Sequence, residues 1–155
     1  MTAIAEKVKD TLVGTIKGTG EIVNAVTTTV SDALTTALKG TGSVGRALTG
    51  TVADVASGVI EGTSQVGGDL GKAAKGAVIG VLQGTKQMGG EAVDAVGSTV
   101  QNLIKATVAV GGDVGLAARH AMEGAIEGTR SVGTKGFDAV SATAAGAIQG
   151  LGAMT

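Results

Sequence analysis

The chain has 155 residues, with 12 basic against 13 acidic side chains, a single aromatic residue, Phe137, and no Trp, Tyr, Pro or Cys. The near-neutral charge excludes the basic patch with which a nucleic-acid binder displaces counterions, and it weakens attraction to anionic lipid. The missing cysteines exclude disulfides and thiolate metal sites. Gly occurs 28 times, and the apolar residues are mainly Ala and Val, which bury little area per residue. Part of the stability is therefore expected to come from a partner surface, either further copies of the chain or lipid.

Residues 1–16 carry Glu6, Lys7, Lys9 and Asp10 without an uninterrupted apolar stretch. They do not read as a secretory signal and resemble the tail of a repeat unit. From Lys17 onward the chain is periodic. Lys17-Gly18-Thr19, Lys39-Gly40-Thr41, Glu61-Gly62-Thr63, Gln83-Gly84-Thr85 and Glu127-Gly128-Thr129 keep a 22-residue spacing, and Lys105-Ala106-Thr107 is the conservative departure. A fixed period of this length marks a repeat architecture. Six full units span 17–148, each ending on a large aliphatic: Leu38, Ile60, Leu82, Ile104, Ile126 and Ile148. The sixth residue of each is also apolar: Ile22, Val44, Val66, Met88, Val110 and Val132. Residues 149–155 open a further partial unit.

Within the second unit the apolar residues Val44, Leu48, Val52, Val55, Ala56, Val59 and Ile60 are three and four apart. That is a helical period, not the alternation of a strand. Twenty-two is twice eleven, and eleven residues complete three turns at about 3.67 per turn. The apolar positions then share an arc of roughly 130°, an ordinary amphipathic face. The phase holds across unit boundaries and proline is absent, which predicts an all-α chain of long, near-continuous or kinked helices with hendecad periodicity. A rival reading comes from Gly67-Gly68-Asp69, Gly89-Gly90-Glu91 and Gly111-Gly112-Asp113. Gly-Gly before an acidic residue marks a turn and a new helix, so an up-and-down array of shorter helices is the alternative.

Glycines four apart recur in register: Gly14 and Gly18, Gly58 and Gly62, Gly80 and Gly84, Gly124 and Gly128, Gly146 and Gly150. Gly76 extends the third pair. Small residues at this spacing form a flat stripe that a second helix can approach closely. Each helical Gly costs about 1 kcal/mol relative to Ala, so a compensating contact is expected. On the helical wheel the pairs flank the apolar arc represented by Val44, Ile60, Val66, Leu82, Met88, Ile104, Ile126 and Ile148. Assembly through small-residue Gly/Ala packing is the expectation.

Catalytic chemistry finds little support. His120 is the only histidine, and a lone His without Cys or a second His is a poor metal ligand set. Asp32, Asp54, Asp69, Asp94, Asp113 and Asp138 are scattered singly. Gly40-Thr41-Gly42-Ser43-Val44-Gly45 lacks the Gly-Lys-Ser/Thr ending of a phosphate loop. No enzyme, no cofactor, no metal, no nucleic acid and no small-molecule substrate are expected. No apolar run reaches the roughly 20 residues of a spanning helix, so the expected location is cytoplasmic, either free or peripheral to a membrane or a lipid or polymer body.

At Glu61-Gly62-Thr63-Ser64-Gln65-Val66-Gly67, Gln83-Gly84-Thr85-Lys86-Gln87-Met88-Gly89 and Glu127-Gly128-Thr129-Arg130-Ser131-Val132-Gly133 the chain resembles the synuclein repeats. Those are eleven-residue units rich in Lys, Thr, Gly and Val that become helical on lipid. In plan it is also similar to the 22-residue helices of exchangeable apolipoproteins, and more loosely to granule-coating phasins. The resemblance lies in period and composition across most of the chain. It departs where Glu61, Gln83 and Glu127 replace the boundary lysine of synucleins. Late-embryogenesis proteins share the eleven-residue period but are strongly hydrophilic, whereas the mean hydropathy here is +0.37. Three functions follow as alternatives: a self-assembling scaffold, filament or sheath of homo-oligomers; a peripheral coat on a lipid surface; and an accessory subunit wrapped along a larger complex.

Overall fold

Gly67 and Gly111 decide how the chain is divided. Both have positive φ, 70° and 75°, in the left-handed region that a side chain disfavours. At Gly67 the helix closes on itself: Gly68 N donates to Thr63 O at 2.8 Å and Gly67 N to Ser64 O at 3.0 Å. The same pair of bonds recurs from Gly112 N to Thr107 O and from Gly111 N to Val108 O. This double closure is the Schellman helix stop. The acidic residue that follows starts the next helix. Asp69 Oδ1 accepts from Gly71 N at 2.8 Å and Lys72 N at 3.1 Å, and Asp113 Oδ1 accepts from Leu116 N at 3.1 Å. A carboxylate in that position satisfies orphan N–H groups and complements the helix dipole.

The computed structural model describes residues 3–38, 44–87, 92–132 and 136–152. Among them are seven helices and no strand: α1 (Ala3–Thr19), α2 (Ile22–Leu38), α3 (Val44–Gln65), α4 (Leu70–Gln87), α5 (Ala92–Ala109), α6 (Val114–Val132) and α7 (Gly136–Gly152). The fold is therefore all-α, but the near-continuous helix expected from phase is replaced by helices of 17 to 22 residues, one per repeat. Apolar phase persists along the sequence, while at Gly20, Gly67 and Gly111 a glycine in the left-handed region breaks the axis. Even α1 and α2, which lack Gly-Gly, are separated by Gly20 at φ 73°. The Gly89-Gly90-Glu91 site lies outside the described residues.

Two to four residues join α1 to α2, α3 to α4 and α5 to α6, too few for anything but reversal of direction. Helices two apart in sequence run parallel, since their contacts advance together along both, as from Gly76 over Val23 to Gly80 over Thr27. They stack in two layers: α1, α3, α5 and α7 in one, α2, α4 and α6 in the other, with each helix also touching its chain neighbours across the layers. The core lies between the layers. Leu12, Leu34, Ile60, Leu82, Leu103 and Ile104 are its largest fully buried side chains, and valines such as Val26, Val30, Val52 and Val59 fill the rest. Each helix contacts only near neighbours, which makes the stack quasi-one-dimensional like other repeat folds.

Buried threonines punctuate the core. Thr99 Oγ1 and Thr107 Oγ1 donate to carbonyls one turn back, Ala95 O at 2.6 Å and Leu103 O at 2.7 Å. Thr63 Oγ1 and Thr85 Oγ1 are buried without a hydrogen-bond partner, at a desolvation cost of about 1–3 kcal/mol each. Thr85→Val keeps the shape and removes the hydroxyl, so its urea midpoint should rise, by the equivalent of about 1 kcal/mol. Gly111→Ala should do the reverse, losing about 1–2 kcal/mol because Ala must adopt the left-handed conformation, and Asp113→Ala should lose about 1 kcal/mol of capping.

Candidate functional site

The distinctive geometry is the contact between helices two apart in sequence. On α3, a Cβ placed on Gly58 would lie 2.5 Å from Ala5 O and 3.0 Å from Val8 Cβ, and one on Gly62 would lie 3.0 Å from Lys9 O. On α4, Gly76, Gly80 and Gly84 stand over α2, where added Cβ atoms would fall 2.7 Å from Val23 O, 2.8 Å from Thr27 O and 3.2 Å from Leu34 Cβ. On α6, a Cβ on Gly124 would fall 2.6 Å from Lys75 O, and one on Gly128 would run into Leu82 of α4. On α7, a Cβ on Gly146 would run into the backbone of Gly97, and one on Gly150 would fall 2.8 Å from Ile104 Cβ, both on α5. Carbon and oxygen need more than 3 Å, so at Gly58, Gly76, Gly80, Gly124 and Gly146 a side chain fits only if a backbone is displaced.

Each contact has two unlike sides. The glycine stripe is a seam, and the aliphatics it rests on are a seat. On α4 both coexist: Gly76, Gly80 and Gly84 face α2, while Val78 and Leu82 receive Gly124 and Gly128 of α6. Seam and seat thus lie on opposite sides of one helix, whereas the wheel placed the glycines on a flank of the apolar arc. Polar contacts are sparse. Thr27 Oγ1 donates to Gly76 O at 3.2 Å, and Lys75 Nζ pairs with Glu127 Oε1 at 3.0 Å at the α4–α6 edge. The Glu127 side chain is half exposed, so this pair contributes about 1 kcal/mol at most.

The departure at unit five has a counterpart in packing. Asn102 and Ala106 occupy the positions held by Gly80 and Gly84 in α4, and α3 against α5 is the least extensive contact within either layer.

The remaining expected residues divide by place in the stack. Gly14 and Gly18 are exposed, and a Cβ on either would meet nothing within 4 Å; they face outward because no helix of the described chain lies beyond α1 in its layer. Ile60, Leu82 and Ile104 are fully buried, and Val66 is half-buried against the core. Ile126 and Ile148 are 44% and 69% exposed, being on the last two helices. The side chain of Val44, and Met88 altogether, lie outside the described residues. The seats Val8, Val26, Val30 and Leu34 were not singled out from the sequence. Each lies about two repeats from its glycine, beyond the reach of any local pattern.

A groove of about 730 Å³ opens between α1 and α2, lined in part by Ile4, Thr11, Thr28, Asp32, Thr36 and Ala37. At about 100° per residue, Thr28, Asp32 and Thr36 lie on the side of α2 opposite Val26, Val30 and Leu34, so the groove faces away from the rest of the stack. His120 Nδ1 lies 3.1 Å from Glu123 Oε2, and its ring packs against Gly71. No helix of the described residues is long and apolar enough to cross a membrane. Compared in sequence with known protein families and with curated proteins, the chain matches none.

Gly80→Ala and Gly14→Ala separate seam geometry from helix propensity. Gly80→Ala should destabilise by about 1–3 kcal/mol through overpacking. Gly14→Ala, in open space, should stabilise by up to about 1 kcal/mol. Thermal unfolding followed by circular dichroism reads both.

Proposed function

We propose that this is a non-enzymatic structural protein whose helical repeats assemble copies of the chain into a scaffold, filament or sheath. One observation carries the reading. Ile60, Leu82 and Ile104 are fully buried in the interior helices, whereas their equivalents Ile126 and Ile148 are exposed at the end of the stack. An aliphatic surface that is covered wherever a further helix is present is a surface shaped for a helix. The hendecad spacing supports this, because it keeps seam and seat in the same angular relation on α1, α4 and α6. The Gly/Ala composition supports it too, since the seams compensate for glycines that would otherwise unfold an isolated helix.

A coat on a lipid surface is the second reading, and the exposed Ile126, Ile148 and Leu151 favour it. It requires the helices to open, because most apolar faces are turned inward against one another. Circular dichroism and sedimentation velocity in lipid-free buffer, followed by addition of phosphatidylcholine vesicles, decide between the two. The scaffold reading expects a helical protein in buffer whose mass grows with concentration and whose helicity is unchanged by vesicles. A disordered monomer that becomes helical only on vesicles overturns it.

A further inference from the structure

The two ends of the stack carry opposite halves of one contact. Inside the molecule, every seam rests on the seat of the helix two before it. At the first end, Gly14 and Gly18 of α1 form a seam with open space above it. Beside them, Asp32 and Thr36 of α2 hold the repeat positions of Gly76 and Gly80 and line the open groove. At the last end, Met122 and Ile126 of α6 hold the positions at which Val78 and Leu82 of α4 receive Gly124 and Gly128. Ile148 of α7 holds the position at which Ile104 of α5 receives Gly150.

We propose that these ends bind each other between copies, head to tail, which deepens the scaffold reading and rests on it. The α1 of a second copy lays Gly14 and Gly18 along α6 at Met122 and Ile126, and its α2, with Thr36 at the repeat position of Gly146, lies along α7. The stack then continues as it runs inside one molecule. The incoming α1 joins the layer of α6, parallel to it and antiparallel to α7, and the groove between α1 and α2 receives α7 of the preceding copy. A second copy fits this site better than an acyl layer does, because a glycine stripe is a recess for a helix, and the charged Lys7, Glu21 and Asp32 interrupt the otherwise largely apolar groove beside it. Both end faces carry exposed charges of both signs, Asp10 and Lys17 on α1 and Arg119 and Glu123 on α6, so neither end repels the other as a whole. The contact is heterologous, so it extends into an open filament or closes into a ring according to the rotation at each step.

The chain contains no cysteine, which makes disulfide trapping direct. Gly18→Cys and Ile126→Cys both fall on surfaces that are free in the monomer. After oxidation, the mixed single variants should give a disulfide-linked heterodimer, each alone should give none, and the double variant should give a ladder of multiples. Equal trapping by either variant alone means a two-fold interface and overturns the proposal. Failure of the mixture to cross-link while high-mass particles form overturns head-to-tail docking and leaves the scaffold standing. A protein monomeric at every concentration overturns both. As a second arm, Gly14→Leu with Gly18→Leu, and separately Ile126→Glu, should raise the concentration needed for assembly by about tenfold or more with helicity unchanged. Assembly at the parent's concentration by both variants also overturns the proposal. So does a loss of phosphatidylcholine-vesicle binding in Ile126→Glu without loss of assembly.

Discussion

Two parallel helices can bring carbonyl oxygens of one to within 3 Å of the Cβ positions of the other only where the Cβ is missing. That constraint governs the contacts of α3 on α1, α4 on α2, α6 on α4 and α7 on α5. At Gly58, Gly76, Gly80 and Gly124 the nearest neighbour of the absent Cβ is a backbone oxygen: Ala5 O, Val23 O, Thr27 O and Lys75 O. The hydrogen that replaces the Cβ points toward that oxygen, the geometry of weak Cα–H···O bonds at helix crossings. Close approach also lets small side chains reach the dispersion distances that larger ones reach in wider bundles. A chain with one aromatic residue can therefore form a core in which Val26, Val30, Val52, Val55 and Val59 are fully buried.

Polarity follows from the same constraint. Where a helix carries both, as α4 does, seam and seat occupy opposite sides, so the layers have a direction and the two ends of the stack differ. The specific surfaces of the stack are its ends and the groove between α1 and α2, and all of them are shaped by backbone approach more than by charge.

Helix stops set the register of this stacking. Gly20 reverses the chain nearly one helical turn earlier in the repeat than Gly67 and Gly111 do. The α1–α2 hairpin is displaced accordingly. Leu34 sits under Gly84, whereas its repeat equivalent Val78 sits under Gly124, the equivalent of Gly80. A one-turn step leaves glycine above aliphatic in both halves, since the stripe itself repeats every four residues. The seam thus tolerates slippage by whole turns.

Helicity, the 22-residue unit and the glycine stripes are legible in the sequence, because each rests on spacing along one chain segment. Division of the helix at each unit was legible only as a rival reading. Amphipathic phase alone is blind to the backbone, and it was the left-handed conformation of Gly67 and Gly111, followed by capping at Asp69 and Asp113, that separated the helices. The partners of the glycines were not legible at all. Gly80 rests on Val30, and Gly124 on Val78, at separations that no local periodicity encodes. Which glycines are covered and which lie open, and which isoleucines are buried and which exposed, depend on a helix's place in the stack. Gly14 and Gly58, or Ile104 and Ile148, are the same residue at the same repeat position, and only the packing of one helix on another makes them different.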